Sequence, residues 1–155
     1  MDKDIYLHVS SSDSSQYFSP NNAGHFCLKL NTPLDLNGSW VIGVCEVDMQ
    51  NIDVSANTGR GFSCVAIECN ICTGLIVNGV QRRVLRVMPL KTDVAEVYPI
   101  VFYVPIETRF IDTIEFRVTN GACEEASFAL EVRGEQEVDA GHISMTLHIK
   151  RLHQT

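Results

Sequence analysis

Residues 110–118 read FIDTIEFRV and residues 141–150 read GHISMTLHIK, and both stretches alternate apolar and polar side chains. A period of two is typical of β-strands, whose successive side chains point to opposite faces. Each stretch therefore has one apolar and one polar face, as strands of antiparallel sheets do. The pattern predicts an all-β fold, and more narrowly an antiparallel β-sandwich built as a single jelly roll of about eight strands.

Turn-forming clusters of Ser, Pro, Asn and Gly divide the chain into short extended segments. Strands are predicted at residues 5–9, 25–30, 39–47, 62–68, 75–77, 83–88, 96–105, 110–118, 126–132 and 141–150. The acidic segment 134–139 is predicted to be a loop. Because 155 residues suit one hydrophobic core, we expect a single jelly-roll domain over residues 1–155.

The inward phase of the predicted strands defines the expected core. Trp40 is the only tryptophan and lies in the most apolar segment. We expect it to anchor the core, with an exposed ligand platform as the alternative. The side chains predicted to be largely buried are Trp40, Ile42, Phe110, Ile114, Phe116, Met145 and Leu147.

Composition argues against two classes of partner. The net charge is −7 and the basic clusters are short, which disfavours direct nucleic-acid binding because that affinity needs many positive contacts. The sequence has no apolar run of about eighteen residues, so no membrane span is predicted. The first residues are charged rather than apolar, so we expect synthesis in the cytoplasm without a signal peptide.

The chain has six cysteines: Cys27, Cys45, Cys64, Cys69, Cys72 and Cys123. Without a signal region we expect reduced, mostly buried thiols. The spacing of Cys64, Cys69 and Cys72 also fits part of a zinc site, which would need a fourth ligand from elsewhere. On an extended strand Cys69 and Cys72 would point to opposite faces, so we expect no metal and no cofactor. Late disulfide formation in an oxidising medium is a further alternative.

Catalytic motifs are not recognisable in the sequence. His8, His142 and His148 occupy predicted outward positions, where a solvated or interface imidazole is more common than a catalytic one. No serine lies in a Gly-x-Ser-x-Gly elbow. The glycine-rich segment 57–62 lacks the lysine and the following helix of a phosphate-binding loop. We therefore expect that the chain is not an enzyme.

An aromatic segment at residues 96–105 contains two prolines, which cannot donate to a strand ladder and so indicate a strand that lies at a sheet edge or is interrupted at both ends. An exposed edge is a hazard unless another subunit or another part of the chain covers it. Tyr98, Phe102 and Tyr103 are therefore candidate residues of an oligomer interface, with an intramolecular cover as the alternative.

Several motifs resemble a family of small proteins encoded by Polinton/Maverick elements and their adintovirus-like relatives. Residues 17–22 (YFSPNN) resemble the family's Tyr-Phe-Pro-Asn-Asn segment. Residues 34–46 (LDLNGSWVIGVCE) resemble its Leu-x-Gly-x-Trp motif and the strand that follows. The closing segments are similar at residues 103–106, 110–115 and 145–151. These relatives are single-jelly-roll minor capsid proteins, also called pentons.

The resemblance implies a structural capsid protein of the virion that acts by assembly. Five copies would close a ring at the vertex and dock among trimers of a double-jelly-roll major capsid protein. Because jelly rolls host other uses, the alternative is a jelly-roll module that binds a carbohydrate or a receptor, including a trimeric one. The oligomeric state discriminates between these functions.

Overall fold

The computed structural model describes residues 4–14, 21–58, 63–77 and 79–153. Two short helices are described, α1 (Ser11–Ser14) and α2 (Val54–Asn57). Within these ranges no helix is long and apolar enough to cross a membrane. The described strands are β1 (Ile5–Ser10), β2 (His25–Asp35), β3 (Trp40–Gln50), β4 (Cys64–Cys69), β5 (Leu75–Val77), β6 (Val80–Arg82), β7 (Val84–Pro89), β8 (Val94–Val97), β9 (Val104–Pro105), β10 (Phe110–Asn120), β11 (Leu130–Arg133), β12 (Gln136–Asp139) and β13 (His142–Arg151). The predicted all-β class is confirmed.

The strands form two antiparallel sheets. Sheet A has the order β1-β13-β3-β8, and β9 also pairs with β3. Sheet B has the order β2-β10-β4-β7. Two separate hairpins, β5-β6 and β11-β12, complete the described strands. Because buried side chains of both sheets contribute to one core cluster, the predicted antiparallel β-sandwich is also confirmed.

Aromatic stacking joins the terminal strand β2 to its neighbour β10 on the core face of sheet B. Phe26 of β2 and Phe116 of β10 are directly paired, fully buried, and have ring centroids 5.3 Å apart. Alternation along each strand explains why these rings face inward while their neighbours face outward. Most of the predicted core is buried as expected, namely Ile42, Ile114, Phe116, Met145 and Leu147.

Phe110 does not follow the prediction, because the alternation of β10 is interrupted near its start. The pairing of β10 with β2 shifts register between Ile111 and Thr113. Between these two pairs β10 advances two residues, whereas β2 advances five, from Leu34 to Lys29. An irregularity of this kind can reverse which face the residues on either side of it occupy. Ile111 is therefore 1% exposed and Phe110 is 60% exposed. The prediction that Phe110 lies in the core was wrong.

Trp40 is half-buried rather than largely buried. It packs against the core cluster from the first position of β3, and its Nε1 donates a hydrogen bond to the carbonyl of Asn37 (2.8 Å). The indole has a polar N–H, and its place at a strand end lets that group reach a backbone acceptor while the rings contact apolar neighbours. Trp40 therefore anchors the margin of the core.

The acidic segment after residue 133 also differs from the prediction. Residues 136–139 form β12, which pairs with β11, and the strand predicted to begin at residue 126 begins at Leu130. Gly134 has a positive φ of 70°, which allows the tight turn between the two strands. Since this hairpin belongs to neither sheet, backbone pairing forms it without burying the acidic side chains.

The proline-flanked segment lies at an edge, as predicted. β8 pairs with residues 46–49 of β3, and β9 pairs with Val41 and Ile42 of the same strand. In the described sheet order β8 is terminal. Three sequence features fall outside the described residues: positions 17–20 of the YFSPNN motif, positions 59–62 of the glycine-rich segment, and Asn78 of the predicted hairpin turn.

Two phenylalanines on β10 provide a test of this register. We expect Phe116→Ala to lower the free energy of unfolding by about 3–5 kcal/mol, because it leaves a cavity in the core. Phe110→Ala should lower it by less than about 0.5 kcal/mol, because that ring is exposed. Urea denaturation of both variants measures the difference, and equal losses would show that the bulge is misplaced.

Candidate self-association surface

Residues 98–103 join β8 to β9, and we refer to them as the strap. At its start the Tyr98 N–H donates to the Cys45 carbonyl (2.8 Å), and directly after it Val104 pairs with Ile42. The six strap residues therefore run beside a part of β3 that is much shorter than the strap itself. The surplus chain leaves the plane of the sheet and lies against the position of Gly43.

Gly43 makes this close approach possible. A Cβ at this position would lie 2.7 Å from the Phe102 carbonyl oxygen and 3.2 Å from Tyr103 Cδ1, and it would also collide with the Val101 side chain. A backbone oxygen cannot move aside as the end of a flexible side chain can. The absence of a side chain at Gly43 therefore lets the strap rest on the sheet.

Tyr103 fixes the end of the strap to the sheet. Its Oη is hydrogen-bonded to Nδ1 of His148 (2.7 Å), which lies directly across from Gly43 in the sheet register. Tyr6 stacks on the other side of the imidazole, with ring centroids 4.5 Å apart. The Lys150 Nζ lies 4.0 Å from the Tyr103 ring centroid. Burial raises the pKa of the Tyr103 hydroxyl, so Tyr103 is neutral and available for this hydrogen bond at physiological pH.

Arg86 connects the strap to the other sheet. It lies on β7, the edge strand of sheet B, and its guanidinium Cζ lies 3.6 Å from the ring centroid of Tyr98 and 4.4 Å from that of Phe102. A guanidinium placed on aromatic faces is attracted by the negative charge of the ring faces. Arg86 therefore holds the strap across the side of the sandwich.

Three apolar side chains at this edge remain exposed, and we call them the edge patch. Val97 is 75% exposed, Ile100 is 73% exposed and Phe102 is 60% exposed. They lie within six consecutive residues, at the terminal strand of sheet A and the strap next to it. Single exposed apolar residues are common, but several together at a sheet edge are typical of an interaction surface.

The candidate interface residues from the sequence divide into two groups. Phe102 is in the edge patch, whereas Tyr98 and Tyr103 are half-buried and make contacts within the chain. The strap is thus partly an intramolecular cover, and its exposed part is centred on Phe102 and two aliphatic residues. Sequence reasoning missed Val97 and Ile100, although both adjoin the prolines and aromatics that drew attention to the segment.

The three histidines singled out in the sequence have different surroundings. His148 has the predicted outward orientation, since its neighbours Leu147 and Ile149 lie in the core, but Tyr6 and the strap cover it and leave it buried. The Thr146 hydroxyl lies between His8 Nδ1 (3.3 Å) and Glu46 Oε1 (2.8 Å). A catalytic triad instead needs the imidazole between the hydroxyl and the carboxylate. His8, Thr146 and Glu46 therefore do not have the arrangement that activates a hydroxyl nucleophile.

His142 forms a pair with a serine. Ser12 Oγ lies 2.7 Å from His142 Nδ1. Among the described residues no carboxylate hydrogen-bonds to this imidazole. These residues therefore provide no group that would orient His142 as a catalytic base. The expectation that the chain is not an enzyme stays a prediction.

The three cysteines whose spacing fits part of a zinc site do not all lie together in the structure. Cys64 lies at one end of β4 and Cys69 at the other, while Cys72 follows a turn beyond the strand. Because the strand ends at Cys69, both Cys69 and Cys72 point into the core, and the prediction that they face opposite sides was wrong. Burial raises the pKa of the Cys69 thiol well above its usual range, which favours a neutral core thiol.

Removing the guanidinium should loosen the strap. We expect Arg86→Gln to lower the free energy of unfolding by about 1–2 kcal/mol, because two aromatic contacts are lost. Arg83→Gln is a matched control. Arg83 forms an ion pair with Glu107 in which the two side chains are 54% and 43% exposed, so its loss should lower the free energy of unfolding by less than about 0.5 kcal/mol. Urea denaturation compares the variants, and an equal effect of both would contradict a bridging role for Arg86.

Comparison with known proteins identified no relative of the chain. No protein-family model, curated protein or solved structure matches the chain.

Proposed function

We propose that the chain is a structural capsid protein: a single jelly roll that assembles into a homopentameric penton at the capsid vertex. The observation that carries the proposal is the edge patch, an exposed apolar surface at the side of a sandwich. A side surface of this kind suits contacts between neighbouring copies in a ring. The function that follows is assembly, with the virion as the site of action.

Nested strand pairing supports the jelly roll. Taken in chain order, the eight strands of the two four-stranded paths are β1, β2, β3, β4, β7, β8, β10 and β13. The first pairs with the last, the second with the seventh, the third with the sixth and the fourth with the fifth. This is the pairing of one long antiparallel hairpin rolled into two sheets, which is the connectivity of jelly rolls in viral capsid domains.

The edge patch supports a heterologous contact between copies. Its residues lie at one side of the sandwich, and in a ring a second copy would meet them with a different part of its surface. A heterologous contact repeated by a fixed rotation closes into a ring. A stable contact of this kind buries about 1,200–2,000 Å² in total, so the patch would form the apolar centre of a larger interface with a polar rim.

The resemblance to Polinton/Maverick and adintovirus-like minor capsid proteins extends the proposal to the partner. In that setting the ring would dock among trimers of a double-jelly-roll major capsid protein. Sequence motifs in both halves of the chain support this extension, since residues 34–46 include the first part of β3, from Trp40 to Glu46, and residues 145–151 lie on β13, its neighbour in sheet A. Neither nucleic acid nor a membrane is part of the proposed function.

Charge affects the strength of the proposed assembly. Each chain carries a net charge of −7, so five copies in a ring repel one another. Added salt screens this repulsion and strengthens apolar contacts. Association should therefore increase with ionic strength, opposite to the behaviour of an interface held by ion pairs.

Sedimentation velocity across a salt series tests the proposal. We expect a species of five times the 17.3 kDa chain mass that becomes more populated at high salt. Ile100→Asp should weaken association more than about tenfold, because it places a charge in the apolar centre of the contact. Ile76→Asp is a matched control, since Ile76 is 77% exposed on the β5-β6 hairpin, and it should leave association unchanged.

A chain that stays monomeric at high protein concentration and high salt would overturn the penton. That result would favour the jelly-roll binding module for a carbohydrate or a receptor. A trimer that is insensitive to Ile100→Asp would also overturn the proposal, because another surface would then carry the assembly.

A further inference from the structure

A mixed cluster of metal-ligating side chains lies on the outer face of sheet B. His25 and Cys27 are two residues apart on β2, and Glu115 is the direct partner of Cys27 on β10. Their neighbours Phe26 and Phe116 point into the core, so alternation directs these three side chains to the opposite face. The cluster thus joins an imidazole, a thiol and a carboxylate from two adjacent strands.

The backbone places Cys27 and Glu115 unusually close. Cys27 exchanges hydrogen bonds with the side-chain amide of Asn21 (3.0 and 2.7 Å) on the side away from β10. Glu115 likewise pairs with Asn70 on its own far side (3.0 and 3.1 Å). Cys27 and Glu115 are therefore a non-hydrogen-bonded pair, the type in which opposing side chains approach most closely.

The candidate ligand atoms are already gathered. One nitrogen of His25, Cys27 Sγ and one oxygen of Glu115 all lie within 4.8 Å of one another, and His25 Nε2 is 2.6 Å from Glu115 Oε1. In a tetrahedral zinc site with ordinary bond lengths, ligand atoms lie about 3.3–3.6 Å apart. The present separations differ from this range by only about 1 Å, so binding a metal would require rotation of the side chains rather than movement of the two strands.

Electrostatics in the cluster favour a cation. Burial raises the pKa of the Cys27 thiol, and the negative charge of Glu115 raises it further. A Cys27 thiolate would be repelled by the nearby Glu115 carboxylate. A divalent cation would remove that repulsion and stabilise the thiolate form.

We propose that His25, Cys27 and Glu115 bind one Zn²⁺ ion, with a fourth coordination position open to solvent. Nitrogen, sulfur and carboxylate oxygen are the donor types that zinc accepts, and a thiolate in the set disfavours Mg²⁺ and Ca²⁺. In the sequence only the spacing of Cys64, Cys69 and Cys72 suggested a metal, so this site was not predicted. The site does not depend on the proposed capsid function.

Glu115 also lines a cavity beside the cluster, which gives room for a fourth ligand. This cavity has a volume of about 240 Å³ and is lined by Glu115 itself and by Glu68, Asn70, Arg83 and Arg117. Arg117 is the direct partner of His25 across the strands, which places its charge beside the cluster. Water, hydroxide or a small carboxylate or phosphate are the fourth ligands that this surrounding would accept.

Zinc titration in competition with a chromophoric chelator tests the site on the full-length protein. We expect one Zn²⁺ per chain, with the affinity lowered more than about 100-fold by His25→Ala and by Cys27→Ser, because each removes a direct ligand. Two matched controls should keep the wild-type affinity. Cys45→Ser removes another half-buried thiol, and His8→Ala removes an exposed imidazole in sheet A.

Cobalt provides a readout that a purely structural role of these residues would not change. Co²⁺ bound to the wild type and to Cys45→Ser should show a thiolate-to-metal charge-transfer band, and Cys27→Ser should lack it. Glu115→Gln preserves side-chain size and should retain the band with weaker binding. Affinity should fall as the pH is lowered, because Cys27 must release a proton to bind the metal.

The proposal is overturned if the wild type binds no more Zn²⁺ than a His25→Ala/Cys27→Ser double variant. It is also overturned if the charge-transfer band persists in Cys27→Ser, because another thiol would then be the ligand. Sedimentation of the metal-free protein separates this result from the proposed function, since ring formation rests on the edge patch and not on the cluster.

Discussion

Burial of Phe116 against Phe26 decides which way β2 and β10 face. Because side chains alternate along a strand, placing these two rings in the core turns Cys27, Glu115 and Arg117 to the outer surface. The outer polar cluster is thus a direct consequence of the inner apolar one. A one-residue change in register would disperse the cluster and expose the core at the same time.

Sheet A follows the same rule, but part of its outer face is covered. Ile42 and Val44 point into the core. Gly43 and Val41, which lie between and beside them, therefore face outward. Gly43 has no side chain there, and Val41 is nevertheless buried. The strap occupies this space and is attached through Tyr103 to His148 and through Tyr98 and Phe102 to Arg86. Covering the central strand in this way leaves the apolar residues of the edge patch at the rim.

The two proposed sites lie at different places in the sandwich. The edge patch adjoins β8 and is supported by Arg86 from β7, whereas the zinc cluster involves β2, which is at the other end of the sheet B order. Additivity of substitution effects is expected for positions that share no contacts. Assembly and metal binding can therefore be measured separately, and any coupling between them would have to pass through the core.

The sequence by itself determined the all-β class, most strand positions and the edge location of the proline-flanked segment, because alternation and proline act locally. It also indicated Phe102 as an exposed aromatic at that edge. It did not determine the orientation of Phe110: Phe110 and Ile111 are both apolar, so the alternation is interrupted there, and only pairing with β2 decides which of the two faces the core. Nor did it locate the cluster of His25 with Glu115, which are 90 residues apart in the chain. Only the tertiary structure decided these features, since strand register is set by long-range pairing and by the packing of two sheets.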